Sequence, residues 1–259
     1  MYPIDLSGKV AAIFGVANHR SLAWGVAQTL HQAGARLLFT YQGERFKDKV
    51  AKLAGQCENS LLVPCDVTDD ASVQNVFQVL KDEAGRLDMM VHSVAYAPRA
   101  ELENPFLETS REGYRLTMEI SAYSLVNLTA AAVPLMEAVG GGRIVTMSFM
   151  AAARVIPRYN VMGSAKAALE HAVRQLAYEL GPRNIRINAL SAGPLNTLAA
   201  RGISGIKDML AIHRAQAPMK RNITPEEVGR SGLYLLSDLS SGVTGETLHV
   251  DAGYNIMGM

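Results

Sequence analysis

The stretch Lys9-Val10-Ala11-Ala12-Ile13-Phe14-Gly15-Val16-Ala17-Asn18-His19-Arg20-Ser21-Leu22-Ala23-Trp24-Gly25 decides the fold. Lys9–Val16 reads as a β-rich apolar run, Gly15 permits a tight turn, and Ser21 opens a helical pattern that continues to Ala33. A strand that is apolar residue after residue, instead of alternating, is covered on both faces. Outward from this unit the alternation repeats. Ala35–Tyr41, Ser60–Val67, Leu87–Val94, Arg143–Phe149, Ile185–Ala192 and Thr247–Asp251 read as further strands. Helical patterns lie near Glu44–Ala54, Ala71–Glu83, Arg111–Glu137, Arg158–Leu180 and Pro225–Ser237. The last begins with Thr224-Pro225-Glu226-Glu227, an N-cap, a proline at the first helical position and a capping-box glutamate. The alternation predicts an α/β fold, a single-domain, doubly wound parallel sheet of Rossmann type with about seven strands and helices on both faces. One unit spans 1–259, and the irregular insertion Gly193–Met219 is of a length that is usually functional, here a substrate lid near 194–219.

Bulk properties exclude several classes. The 259 residues are 49% hydrophobic and 19% charged with a formal net charge of +1, which gives no global case for nucleic acid or an anionic membrane surface. Met1–Val16 lacks a basic segment leading into a long apolar one, and no uninterrupted apolar run approaches about 18 residues, so a cytoplasmic protein is expected. Cys57 and Cys65 form no CxxC pair and no His/Cys cluster has metal-ligand spacing. Reduced, structural thiols and no metal are expected.

Ligands of such a sheet bind beyond the carboxyl ends of its strands. At the first end Gly15 and Gly25 bracket a loop longer than GxGxxG, Ser21 sits where it can cap the next helix, and that helix's N-terminus would attract a pyrophosphate. The second strand ends in Tyr41-Gln42, a neutral residue that can hydrogen-bond a ribose, with Arg45 and Lys47 near enough to leave a 2′-phosphate open. The third ends in Cys65-Asp66-Val67, suited to an adenine edge, although Asp66 could equally cap the next turn. The fourth ends in His92-Ser93-Val94-Ala95-Tyr96-Ala97-Pro98, where His92 has no carboxylate at a recognisable spacing and reads as a satisfied core histidine.

In the helical run that follows Pro157, apolar or aromatic residues recur at Tyr159, Met162, Leu169, Val173, Leu176 and Leu180. From Tyr159 to Lys166, at about 100° per residue, the helix nearly completes two turns, so both fall on that stripe. A lysine there must find polar partners. A phenol and an ammonium at this spacing look like a prepared reaction centre.

Gly15 through Gly25 with Ser21 between them, Asp66-Val67 and Tyr159-x-x-Met162-x-x-x-Lys166 resemble the divergent branch of the short-chain dehydrogenase/reductases. Within it the chain is similar to the bacterial enoyl-acyl-carrier-protein reductases. Ser121-Ala122-Tyr123-Ser124, Ile156 to Met162, Ile187 to Pro194 and Val250-Asp251-Ala252-Gly253 extend the likeness to essentially the whole chain. The resemblance implies cofactor contacts at Gly15, Ser21, Leu22, Gln42, Asp66, Val67, Val94 and Lys166 and along Leu195, Asn196, Thr197, Leu198 and Ala199, with substrate near Ala97. It implies NADH as cofactor, with NADPH possible, and reduction of the trans-2 double bond of an enoyl thioester on acyl-carrier protein in fatty acid synthesis, by a homotetramer. Tyr159 would donate to the thioester oxygen and Lys166 would hold the nicotinamide ribose.

One departure stands out. Phe149 occupies the position of the family's second tyrosine, at the end of the fifth strand, and cannot donate a hydrogen bond. Ser148 beside it is a minor candidate, and Ala95, where relatives often have glycine, narrows the pocket slightly. Phe149 keeps open a related reductase acting on another enoyl or a 3-oxoacyl substrate. A non-catalytic dinucleotide sensor is the alternative of another class, and retention of Tyr159 with Lys166 argues against it. Arg201, Lys207, Arg214, Lys220 and Arg221 against Asp208 alone would suit an acidic carrier protein. Met209, Leu210, Ile212 and Met219 suit an apolar lid, and Gly253–Met259 is expected to be buried at a subunit interface.

Overall fold

The computed structural model describes residues 4–197 and 205–258. Seven parallel strands form one sheet in the order β3-β2-β1-β4-β5-β6-β7. They are β1 (Val10–Phe14), β2 (Arg36–Tyr41), β3 (Leu61–Pro64), β4 (Met89–His92), β5 (Gly142–Ser148), β6 (Ile185–Ala192) and β7 (Thr247–Val250). Six fall inside the runs expected from the sequence, and β5 begins one residue before its run, at Gly142. The central strands are buried along nearly their whole length, as their continuous apolar sequences require.

Helices α1 (Leu22–Gln32), α2 (Glu44–Ala54) and α3 (Asp70–Ala84) follow the first three strands. Then come α4 (Arg99–Glu103), α5 (Arg111–Met118), α6 (Ser124–Glu137), α7 (Asn160–Leu180), α8 (Ile206–Gln216) and α9 (Pro225–Leu236). Two apolar clusters fill the two faces of the sheet. Trp24, Leu30, Phe39 and Val228 belong to one; Phe14, Phe77, Leu125 and Leu169 belong to the other. Helices α1 and α9 cross closely because Gly25 and Gly229 face each other. A Cβ on Gly229 would come within 2.4 Å of the Gly25 carbonyl oxygen. The capping box of α9 forms as the sequence predicts, with Thr224 accepting from the Glu227 N–H and Glu227 accepting from the Thr224 N–H.

Three local expectations are corrected. The helix predicted from Arg158 starts at Asn160, because Arg158 and Asn160 take φ of 64° and 35° on either side of Tyr159. The run Arg111–Glu137 is interrupted by a π-turn at Glu119–Tyr123. The insertion Gly193–Met219 is not irregular throughout, since α8 occupies Ile206–Gln216, and the short α4 had no counterpart in the sequence reading. Within the chain, Arg154 ties down the C-terminal segment by donating to the carbonyls of Asn255 and Met257, while Ile256 is 73% exposed.

Strand order reverses between β1 and β4, and a crevice opens there. Gly15, at φ 96°, makes the two strand ends compatible. A Cβ at this position would lie 2.1 Å from the Ser93 carbonyl oxygen.

Candidate active site

A cavity of about 870 Å³ occupies this crevice. It falls within the range of small-molecule and cofactor sites. Gly15, Ser21 and Leu22 line it from the β1–α1 turn, Gln42 from the end of β2 and Val67 from beyond β3. Val94 and Ala97 follow β4, Phe149 follows β5, Tyr159 immediately precedes α7 and Lys166 lies within it, and Leu195 and Thr197 follow β6. Twelve positions separated in sequence by up to 182 residues thus meet on one surface. Asp66 and Asn196 do not line it, and Leu198 and Ala199 lie outside the described residues.

The turn after β1 differs from the expectation in one respect. Ser21 holds the N-cap position of α1, but its hydroxyl makes no cap. Instead Oγ accepts from the N–H groups of Ala17 at 3.0 Å and Asn18 at 3.2 Å. The hydroxyl therefore folds the loop back on itself, and the first turn of α1 is left without a side-chain cap. An uncapped helix start carries partial positive charge and free donors, which suits an anion. Asp66 is also engaged locally. Its carboxylate accepts from Thr68 N and Oγ1 at 2.9 and 2.7 Å, and from Gln42 Nε2 at 3.4 Å. Partial burial opposes ionisation of Asp66, but these bonds outweigh it and hold the carboxyl below its usual value. Asp66 thus makes the turn bonds that the sequence allowed, with Gln42 tied to it. Cys65 lines the cavity as an inert thiol, pushed up to about 12 by burial.

At the other wall Lys166 is 5% exposed, and its Nζ donates to the Met147 carbonyl at 2.7 Å. That is the polar partner its place on the stripe demands. Burial lowers the ammonium to about 8, with the nearby Glu170 carboxylate acting the other way. Burial likewise pushes the Tyr159 phenol above its usual 10, so it remains a protonated donor at neutral pH. The Phe149 ring packs against Tyr159 with centroids 5.0 Å apart and planes tilted by 51°. Phe149 thus narrows the freedom of the phenol without offering a second donor.

His92 behaves as a core histidine. Its two ring nitrogens meet Thr146 Oγ1 and Ser124 Oγ, both at 2.8 Å. Ser124 donates its own proton to the Ile120 carbonyl at 2.6 Å, which assigns the His92 proton to Nε2 and leaves Nδ1 to accept from Thr146. Burial, reinforced by the charge on Lys166, lowers this imidazole to about 3. It stays neutral and takes no part in charge at the site.

Sequence reasoning missed several lining residues. Arg99 and Leu102 of α4, Ile120 of the π-turn and Ile206 of α8 all reach the cavity, beside Met209, which the sequence already placed in the lid. Ile206 and Met209 are three apart and could have been found as a helical pair. Of the apolar residues expected in a lid, Ile212 and Met219 are more than half exposed and do not line it. The basic segment is also less free than its charges suggest, because Arg221 forms a bidentate pair with Glu227 at 2.6 and 2.8 Å. Arg201 lies outside the described residues. Among the described residues no group of three or more His, Cys, Asp or Glu could hold a metal.

A parallel sheet whose switch-point crevice joins an uncapped helix start to a Tyr/Lys pair is the arrangement of the dinucleotide-binding, doubly wound class. Comparison narrows this. A family model described as enoyl-(acyl carrier protein) reductase matches residues 15–255. The "Enoyl-[acyl-carrier-protein] reductase [NADH] FabI" of Nostoc sp. is 48% identical over 259 residues, 99% of this chain and 100% of that protein. The Bacillus cereus enoyl-acyl carrier protein reductase, solved with NADP+ and indole naphthyridinone, superposes with a TM-score of 0.95 at 46% identity, covering 98% of this chain and 99% of that one. The reductase of Anaplasma phagocytophilum, solved in complex with NAD, gives a TM-score of 0.94 at 47% identity, covering 98% and 96%. This chain belongs to the enoyl-(acyl carrier protein) reductase family.

Proposed function

We propose that the protein is an NADH-dependent enoyl-[acyl-carrier-protein] reductase of fatty acid synthesis, acting in the cytoplasm. The observation that carries this reading is the convergence of Tyr159, Lys166 and the uncapped turn of α1 on one cavity. The names of its relatives supply the substrate and the cofactor.

The residues present fit a dinucleotide. The donor-rich start of α1 with Gly15, Ser21 and Leu22 would take the pyrophosphate, and Gln42 would face the adenosine ribose. Asp66, held by Thr68, supports Gln42 from behind, with Val67 and Val94 offering apolar contact. Lys166 would hold the nicotinamide ribose, and the segment Leu195 to Ala199 would close over the nicotinamide side. Arg45 also lines the cavity, which leaves room for a 2′-phosphate as in the NADP+ complex of the relative. When bound, the cofactor supplies hydride to the β-carbon of a trans-2-enoyl thioester.

The chain's own part is electrostatic and protonic. As charge develops on the thioester oxygen, the Tyr159 hydroxyl donates to it, and the buried Lys166 ammonium holds the local potential positive. Ala97 and Phe149 bound the acyl chain. We read 194–219 as the substrate lid, since Ile206 and Met209 line the same cavity. A homotetramer agrees with the exposure of the apolar side chains Phe106, Leu107 and Tyr123. Delivery of the acyl chain by carrier protein rests on Lys207, Arg214 and Lys220.

Oxidation of NADH followed with crotonyl and acetoacetyl thioesters tests the reading. Turnover with crotonyl thioester, and its fall by about tenfold or more in Tyr159→Phe, is expected for loss of a transition-state donor. A preference for acetoacetyl thioester would favour the 3-oxoacyl alternative that Phe149 keeps open. Unchanged turnover in Tyr159→Phe would refute the assigned role.

A further inference from the structure

A second cavity of about 470 Å³ lies behind the first, lined by Arg154, Glu170, Arg174, Glu246 and His249 among others. Glu170 lines the second cavity and not the first; Ser148 lines the first and not the second. The two residues share a hydrogen bond of 2.6 Å from Ser148 Oγ to Glu170 Oε1, so this pair is part of the wall between the cavities. Ser148 directly follows Met147, whose carbonyl holds Lys166 Nζ, and Glu170 stands one helical turn beyond Lys166 on α7. The proposed reaction consumes one proton per turnover. With dinucleotide and acyl chain filling the first cavity, water reaches that centre poorly through its mouth.

We propose that Ser148 and Glu170 form a rear proton route from the second cavity to the catalytic one. This inference rests on the reductase reading above. Hydride adds to the β-carbon, the carbon–carbon π pair shifts toward the thioester oxygen, and a proton must reach the α-carbon. The site's proton is then restored in three transfers. A hydronium ion reaching the second cavity from solvent protonates the Glu170 carboxylate and leaves water. The Ser148 hydroxyl, which donates to the ionised Glu170, swings toward the first cavity, and the protonated Glu170 donates to Ser148 Oγ as the hydroxyl proton leaves. Ser148 releases its own hydroxyl proton, through water in the first cavity, to the amine of Lys166 or the phenolate of Tyr159. Glu170 returns to carboxylate and Ser148 to hydroxyl, with one solvent proton consumed.

Charged and titratable groups face Glu170 from each side: Lys166 and Arg174 on its own helix, Arg154 after β5, and Glu246 and His249 from the β7 edge. Lys166, lowered by burial and raised by Glu170, is placed to give up and regain a proton near neutrality.

The test is Glu170→Gln, which keeps an acceptor for Ser148 but carries no proton. Turnover with NADH and crotonyl thioester should fall by about tenfold with KM for NADH little changed, since acid–base groups typically contribute that much or more. The solvent deuterium isotope effect on kcat should grow, and the effect of 4-deuterated NADH should shrink. Glu170→Asp should recover part of the rate, and acetate should restore Glu170→Ala through the second cavity. Ser148→Ala should reproduce the solvent isotope signature even if the Glu170 variants fold poorly. Wild-type turnover and isotope effects in Glu170→Gln would overturn the route. So would a slower variant with raised KM, an unchanged solvent isotope effect and no acetate rescue, which describes a residue that only positions Lys166. Loss of the reductase reading itself is seen separately, as absence of wild-type enoyl reduction or as indifference to Tyr159→Phe.

Discussion

Lys166 gives the cofactor-free protein a measurable pH dependence. Its side chain is buried, and burial draws the ammonium down from 10.5 to about 8 despite the opposing charge of Glu170. The folded protein therefore binds this proton less tightly than the unfolded chain does. Between about 8 and 10.5 the unfolded chain carries more protons, so stability rises with pH across that window. Below about 8 the full cost of the buried charge is present, and above 10.5 it is gone. The interval from 10.5 to about 8 corresponds to about 3 kcal/mol at ~1.4 kcal/mol per pH unit. Lys166→Met removes the charge and keeps most of the volume. It also strands the Met147 carbonyl, a penalty that does not vary with pH. Urea unfolding of both proteins from neutrality to above pH 10.5 isolates the effect, because other titrating groups cancel in the difference. The wild type should gain about 3 kcal/mol on the variant across the window. Saturating NADH should flatten the slope, because a ribose hydroxyl on the ammonium raises its folded value. A difference that stays constant with pH would refute the claim that this ammonium is desolvated.

Acid should act through His92 by the same logic and with the same sign, in a lower window. Its folded value of about 3 lies below the free 6.5, so stability is complete above 6.5 and is lost as pH falls toward 3. Wild type should lose about 2 kcal/mol relative to His92→Gln on acidification from 6.5 to pH 5, read by denaturant unfolding. Parallel acid curves would show that His92 does not titrate as described. Ser21→Ala leaves the Ala17 and Asn18 N–H groups without their acceptor. It should weaken NADH binding by about tenfold, measured by calorimetry, since each bond lost from this half-buried turn costs about 1 kcal/mol. Unaltered affinity would mean that the turn holds its shape without the hydroxyl. Phe149→Tyr places a phenol beside Tyr159, whose ring already touches position 149. The ratio of rates on short and long enoyl thioesters should move by about threefold or more, and an unmoved ratio would remove position 149 from the site.

What the sequence made legible follows from periodicity. The strands announced themselves because a doubly covered strand must be apolar throughout, and the Tyr159/Lys166 pair because seven residues bring a helix nearly back to one face. Ser21 shows where such reading stops. The same hydroxyl can cap a helix or close the loop before it, and only the path of Ala17 and Asn18 decides between them. Asp66 and Arg221 repeat the point, since each is claimed by a neighbour, Thr68 or Glu227, that residue type alone does not single out.

The π-turn at Glu119–Tyr123 carries the argument furthest. Ser121 accepts from the Tyr96 N–H and donates to the Tyr96 carbonyl, while Ser124 meets His92 and returns its proton to Ile120. At a standard helical advance of about 100° per residue, positions 121 and 124 differ by about 60° in direction. The extra residue in the turn changes that angle, and both hydroxyls engage the end of β4. The partners lie 25 and 32 residues away in sequence, so no local pattern could signal the bulge. Its effect is nonetheless on the site: it fixes the loop bearing Val94 and Ala97, sets the tautomer of His92, and turns Ile120 toward the cavity. Widened helical turns of this kind occur where a side chain must be aimed more closely than a regular helix permits.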